Sequence, residues 1–329
     1  MTSTRTTVRN LHPARRLARG WLTAWLLLGA AVPVAATADV SIYQAVVPLE
    51  DGNRAAAFGE ALKRAAVRAS GRASAATAPR IVAAAADPNG YVQQYSTTPD
   101  RMLKVGFDAR AMEQLLSQAG LPLWPAERPT VTVLLFTTAV AGGVRAVTAA
   151  DRPPERSAVE QAAQARGVPV AWPAESVDAA GARAPPGQRG GTLVGTTSGR
   201  GFDWSFSHAG QIVRGQGDAA AGIALAADLL AERYAPASTR SMATLNLRIG
   251  GLRGIRDYAQ LSRYLEGLSL VRSVAVRELA GETVQFELTV RGDAELLARI
   301  FALDGRLVRG AADGDGATAP AVDFVWRPT

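Results

Sequence analysis

The apolar positions of this chain switch between a spacing of about 3.6 and a strict alternation, and the switches predict its elements. SIYQAVVPL (41–49) reads as a strand ending at the turn EDGN (50–53). Asn53 then caps RAAAFGEALKRAAVRAS (54–70), with Gly71 placed to stop it. Phe58, Leu62, Ala65 and Ala66 fall on one face of that helix. PRIVAAAA (79–86) is a second Ala-rich segment, closed by the turn Asp87-Pro88-Asn89-Gly90. RMLKVGFD (101–108) reads as a strand, and ARAMEQLLSQAG (109–120) as a helix closed by Gly120. TVTVLLFT (130–137), short and rich in β-branched residues, predicts a buried strand. Strands alternating with helices predict an α/β layer.

AGGVRAVTAADRPPE (141–155) breaks this pattern and sets a sub-boundary near 140–153. ERSAVEQAAQAR (155–166) is a helix with Gly167 past its end, VPVAW (168–172) a short strand, and 175–191 a loop. Five glycines then fall between Gly190 and Gly201, which raises the question of a phosphate-cradling loop. Such a loop needs a lysine and a helix directly after it, and no lysine occurs after Lys104. The chain instead continues into FDWSFS (202–207), where Phe202, Trp204 and Phe206 alternate with Asp203, Ser205 and Ser207. TLVGTTS, FDWSFS and QIVRG therefore predict a three-stranded antiparallel meander, turning at His208-Ala209-Gly210. The glycines are assigned to turns and close strand approach. A helix over 218–234 comes next, ended by Pro236.

The last 90 residues form the clearest unit. MATLNLRIGG (242–251) is a strand, and GIRDYAQLSRYLEGL (254–268) a helix with Ile255, Tyr258, Leu261, Leu265 and Leu268 on one face. LVRSVAVREL and ETVQFELTVRG are strands joined at Ala280-Gly281; DAELLARIFAL is a helix capped by Asp293; VDFVW is a final strand after the flexible ADGDGATAP. The order βαββαβ is that of a ferredoxin-like sandwich, a fold that hosts many functions and implies none. The expected fold class is thus mixed, α+β and α/β: an N-terminal α/β domain (39–236) ending in an antiparallel meander plus helix, then a ferredoxin-like βαββαβ domain (241–329).

Residues 1–38 carry an export pattern. Arg5, Arg9, Arg15, Arg16 and Arg19 form a basic leader, WLTAWLLLGAAVPVA an apolar stretch, and Ala36-Thr37-Ala38 a small-x-small site before Asp39. Pro33 limits the apolar run to 12 residues from Trp21, short of the about 20 a spanning helix needs. The expectation is a signal peptide cleaved between Ala38 and Asp39, and a periplasmic product without a transmembrane helix. Five of the 36 basic residues and none of the 29 acidic ones lie in that leader, leaving 31 against 29. By itself this balance gives no nucleic-acid footprint. There is no cysteine, which removes disulfides, thiolate metal sites and a cysteine nucleophile.

YQAVVPLEDGNRAAAFGEALKRAAVRASG, YVQQYS, LKVGFDARAMEQLLSQAGLPLWPAERPTV and RGVPVAWP together resemble the exported proteobacterial proteins of domain-of-unknown-function family 2066, over roughly residues 40 to 235. The resemblance implies export and domain extent, and no catalytic residues. The LVG, FDWSFS and LLAERYA segments are similar, at the level of fold, to the strand–strand–helix ending of α/β domains in envelope assembly proteins.

His208 is the only histidine outside the leader, and Asp203, Ser205 and Ser207 beside it invite a hydrolase triad. The three polar residues succeed one another along one strand face, whereas a triad converges from separate segments. A turn histidine is the plainer reading. One histidine and no cysteine disfavour zinc, and Asp313-Gly314-Asp315-Gly316 lacks the spaced ligands and closing Glu of a calcium loop. Glu127, Glu155, Asp203 and Glu232 are carboxylates that a glycoside hydrolase would need paired. Leu121-Pro122-Leu123-Trp124-Pro125 with Arg128-Pro129 is a rigid elbow. Trp124, Arg128 and Trp172 are candidate docking residues, Trp and Arg being favoured interface anchors; the competing reading of Trp124 is a cover on the core. Arg253, Arg256 and Arg263 share a helix face that would suit an acidic lipid or polymer, or plain solvent. The expectation is therefore a non-enzymatic envelope binding or scaffold protein without cofactor or metal, its partners envelope proteins or cell-wall polymer and no nucleic acid. The alternative is a periplasmic carboxylate-dependent hydrolase acting on cell-wall or glycan substrates.

Overall fold

The computed structural model of the protein describes residues 42–138, 144–175, 189–199, 201–235, 242–310 and 323–328. The expected leader, most of the 175–191 loop, the Asp313–Gly316 stretch and the 236–241 boundary lie outside the described residues. Among the described residues the fold is mixed α/β, with seven helices and three sheets.

The first sheet joins β1 (Gln44–Pro48), β2 (Val92–Thr97) and β3 (Met102–Phe107) in the antiparallel order β1-β3-β2. Helices α1 (Arg54–Ser70), α2 (Pro79–Ala86) and α3 (Ala109–Gln118) pack with it. Asn53 Oδ1 accepts from Ala56 N at 3.1 Å, and Gly71 leaves α1 with φ 68°. Phe58, Leu62, Ala65 and Ala66 are buried as their spacing predicts. The pattern did not mark β2. VQQYST keeps five of its six residues exposed, so its strand identity comes from pairing with β3 rather than from burial.

The second sheet contains β4 (Val131–Thr138), β5 (Val144–Ala146), β6 (Val170–Ala171), β7 (Thr192–Ser198), β8 (Gly201–His208) and β9 (Gln211–Gly217). Its order is β5-β4-β7-β8-β9, with β6 also along β4. β4 runs parallel to β7, while β7, β8 and β9 form an antiparallel meander. β4 reads as an apolar run because both its faces are covered: Val131, Val133 and Leu135 join one buried cluster, Leu134 and Phe136 another. Helices α4 (Pro154–Arg166) and α5 (Ala219–Tyr234) complete this part; Asp218 caps α5 through Ala221 N at 2.9 Å. The glycine-rich stretch serves Trp204. A Cβ at Gly195 of β7 or at Gly222 of α5 would fall inside the Trp204 ring, so the indole is clasped between two bare backbones.

The third sheet holds β10 (Met242–Gly250), β11 (Val271–Ala280), β12 (Thr283–Arg291), β13 (Leu307–Arg309) and β14 (Phe324–Trp326), with α6 (Ile255–Gly267) and α7 (Ala294–Asp304). The order is β11-β12-β10-β14-β13. β14, the expected closing strand, runs parallel to β10; β13, too short to show a period, pairs antiparallel with β14. Leu261 and Leu265 of α6 are buried, whereas Ile255 at its first turn is 81% exposed, ahead of the sheet it was expected to cover. Buried side chains of the second and third sheets form one contiguous cluster; those of residues 43–123 form their own.

Candidate functional site

An open groove of about 650 Å³ lies beside the β8–β9 hairpin. The hairpin turns on Ala209 (φ 47°) and Gly210 (φ 83°), a two-residue connection of the primed kind that suits the twist of the flanking strands. Ala209 holds a left-handed backbone that a Cβ disfavours. One wall is the hairpin, with Gln211 and Ile212; the second is the end of α5, with Arg233 and Tyr234. The third is α7, with Arg299, Ala302 and Leu303, and Arg189 closes the groove ahead of β7.

Three guanidinium groups thus line the groove from three separate segments, and no carboxylate is among its described lining residues. The Nε atoms of Arg233 and Arg299 are buried without a hydrogen-bond partner. Arg299 Nη1 donates to Glu295 Oε2 at 3.3 Å, but the Glu295 side chain is 81% exposed and holds it weakly.

His208 is buried at the groove floor, its Nε2 3.1 Å from the Tyr234 hydroxyl. Burial, with the nearby Arg233 charge, holds its pKa below the usual histidine value; burial raises that of Tyr234, against the opposing pull of Arg233. Nε2 therefore faces a phenol and is not oriented by an acid. Trp204, Phe206 and His208 share the buried face of β8, while Asp203, Ser205 and Ser207 alternate to the other. Asp203 instead accepts from Gln216 Nε2 at 2.7 Å. The strand therefore does not bring a triad together.

The three candidate docking residues are placed elsewhere. Trp124 is fully buried and presents no surface; the core-cover reading holds for it. Arg128 lies over its ring, 4.4 Å from the centroid, and is spent on main-chain carbonyls. Its Nη1 donates to Gly167 O (2.7 Å), its Nη2 to Arg68 O (2.9 Å) and Trp124 O (3.3 Å), and its Nε to Pro125 O (3.0 Å). Burial, helped by the Arg68 charge, lowers its pKa to about 9, which still leaves it charged at neutral pH. It ties the C-terminal ends of α1 and α4. Trp172 is half-buried; its Nε1 donates to Glu160 Oε1 at 3.0 Å, and Arg156 stacks 5.0 Å from the ring centre. Trp124 and Arg128 pack together, whereas Trp172, just past β6, is engaged by Glu160 and Arg156 of α4.

Glu127 accepts from Ser269 N and Oγ (2.9 and 2.6 Å), and Glu155 lies in the first turn of α4. With Asp203 on β8, Glu232 on α5 and Glu127 in the loop before β4, the four carboxylates sit on separate segments, and none lines the groove. Arg253, Arg256 and Arg263 are exposed, Arg263 donating to Ala259 O at 3.1 Å. Among the described residues no cluster of three or more His, Asp or Glu could hold a metal ion, and no helix is long and apolar enough to cross a membrane. The groove arginines Arg189, Arg233 and Arg299 were missed by the sequence reading. They are far apart in the chain, and only the fold brings them to one groove.

A family described as a domain of unknown function (DUF8605) matches residues 36–125. The matched segment brackets the separate buried core of residues 43–123. No curated protein and no solved structure matches the chain.

Proposed function

We propose that this chain is a non-enzymatic binding protein of the cell envelope, exported by a cleaved leader and acting in the periplasm. Its partners are envelope proteins or cell-wall polymer, engaged at the groove. Kinship with family 2066 and with exported proteobacterial proteins belongs to the same proposal. So does the reading of residues 242–326 as a ferredoxin-like unit. The order β11-β12-β10-β14 supports it, with the departure that β14 is parallel to β10 and displaces β13 to the edge. The observation that carries the functional reading is the groove itself. It is open, gathers donors from three segments, and has no described carboxylate to act as nucleophile or general base. His208 supports binding over hydrolysis, because its Nε2 faces Tyr234 rather than a nucleophile.

The test is photo-crosslinking in the native cell from Gln211 and Ile212, with Tyr95 of the first sheet as the outside position, and then envelope fractionation. The same discrete envelope adduct from both groove positions, and not from Tyr95, is expected. Absence of that adduct, or turnover of cell-wall fragments that His208→Gln abolishes, overturns the reading.

A further inference from the structure

Resting on that reading of the groove, we infer that its ligand presents a phosphoryl group, held by Arg189, Arg233 and Arg299. Three guanidinium groups bring three positive charges, of which a single carboxylate offsets only one. A phosphoryl group offers three oxygens and up to two negative charges, and guanidinium is the side chain whose geometry matches it. The described lining holds no acid to compete for those donors, and two of the arginines carry a buried Nε without an acceptor, so the cluster is under-compensated as it stands. The exposed carboxylate of Glu295 is the one partner Arg299 has there, at 3.3 Å, and a phosphoryl oxygen would displace it. The donors are arginine side chains, not the glycine amides of the 190–201 stretch, which are committed to β7, β8 and the packing around Trp204. Beside the arginines, Ile212 and Leu303 give an apolar wall for the uncharged remainder of the ligand.

The probe is pyrophosphate, titrated calorimetrically into the purified full-length protein, with acetate at matched ionic strength as the carboxylate comparison. Pyrophosphate is expected to bind and acetate not. Arg189 is exposed, so Arg189→Gln leaves folding intact; it and Arg299→Gln are each expected to weaken binding about tenfold. Glu295→Gln, which frees Arg299, is expected to tighten it. Co-sedimentation with phosphatidylglycerol vesicles, lost in Arg189→Gln, would assign the phosphoryl group to a lipid headgroup; pyrophosphate binding without vesicle binding would assign it to a soluble compound or polymer. Equal binding of pyrophosphate and acetate, or pyrophosphate binding untouched by both arginine variants, overturns the inference. Should it fall while the groove crosslinks form, envelope binding stands with another ligand. Should phosphoryl binding hold with no crosslinks, the reading of a macromolecular envelope partner is the one that fails.

Discussion

Replacing Arg128 by methionine tests the architecture most directly. Methionine keeps an apolar stem over Trp124 and deletes every donor. Arg68 O lies in the last turn of α1 and Gly167 O just past α4, the negative ends of two helix dipoles. Leaving each without a donor costs about 1–3 kcal/mol. The cation–π contact adds about 1 kcal/mol. Against these stands the desolvation of the guanidinium, visible in its lowered pKa, which the substitution relieves. The balance is a loss of about 3 kcal/mol in urea-induced unfolding. Arg128→Lys should recover under half of it, because an ammonium is a point donor and cannot span carbonyls on two helices. Hydrogen exchange should accelerate first at the C-terminal turns of α1 and α4. A loss under about 1 kcal/mol for the methionine variant, or full recovery by lysine, would refute the claim that this guanidinium joins the two helices.

The His208 pKa lies below its unfolded value, so the unfolded chain takes the proton first and stability falls as pH drops below about 6.5. Arg233, Arg299, Arg189 and Tyr234 surround the ring, with no described acid in the groove to offset its charge. Melting curves between about pH 7.5 and pH 5 should therefore fall less steeply for His208→Gln than for the parent; equal slopes would count against it. Glu113 of α3 accepts at Oε2 from Arg272 (2.5 Å) and Arg291 (2.6 Å) of β11 and β12. Glu113→Gln should cost about 1–2 kcal/mol at low salt, with the gap to wild type narrowing in high salt; a salt-independent gap would contradict an electrostatic tie. Ala209→Asn, placing an αL-tolerant residue before Gly210, should raise stability by about 1 kcal/mol in the same unfolding assay, and no gain would mean the turn is unstrained.

Much of the fold was legible because its signals are local. Asn53, Asp108, Asp218 and Asp293 each cap the helix directly after them, accepting from an amide three residues on at 2.8–3.1 Å. The alternation in FDWSFS placed Trp204 and Phe206 inward without any knowledge of the partner strands. The elements that escaped, β2, β5 and β13, are all edge strands, each paired with its neighbour along the chain. Two have only three residues, and the third buries almost nothing. Short strands have no period to read, and an edge strand has no apolar face to reveal.

The arginines carry the deeper lesson. Arg68, Arg156 and Arg166 carry no mark in the sequence and Arg128 reads as a docking residue, yet each donates to carbonyl oxygens at 2.7–3.0 Å. Some of their partners are 60 and 95 residues away, where no window along the chain contains the evidence for their role. A guanidinium consumed in this way is structural, and subtracting those four exposes what is left over. Arg189, Arg233 and Arg299 share the same side chain and similar sequence surroundings, but in the groove they face no described carboxylate on its walls, and two keep a buried N–H unanswered. The difference between an arginine that finishes the fold and one open to a ligand is completeness across the whole guanidinium: Arg166 too keeps a buried Nε without a partner, but its Nη2 is taken by Gly71 O and Asp228 Oδ1. Completeness is a property of the assembled sheets, which is why the docking elbow suggested by Trp124 and Arg128 belongs to the interior and the proposed binding surface lies at a hairpin that sequence alone marked only as a turn.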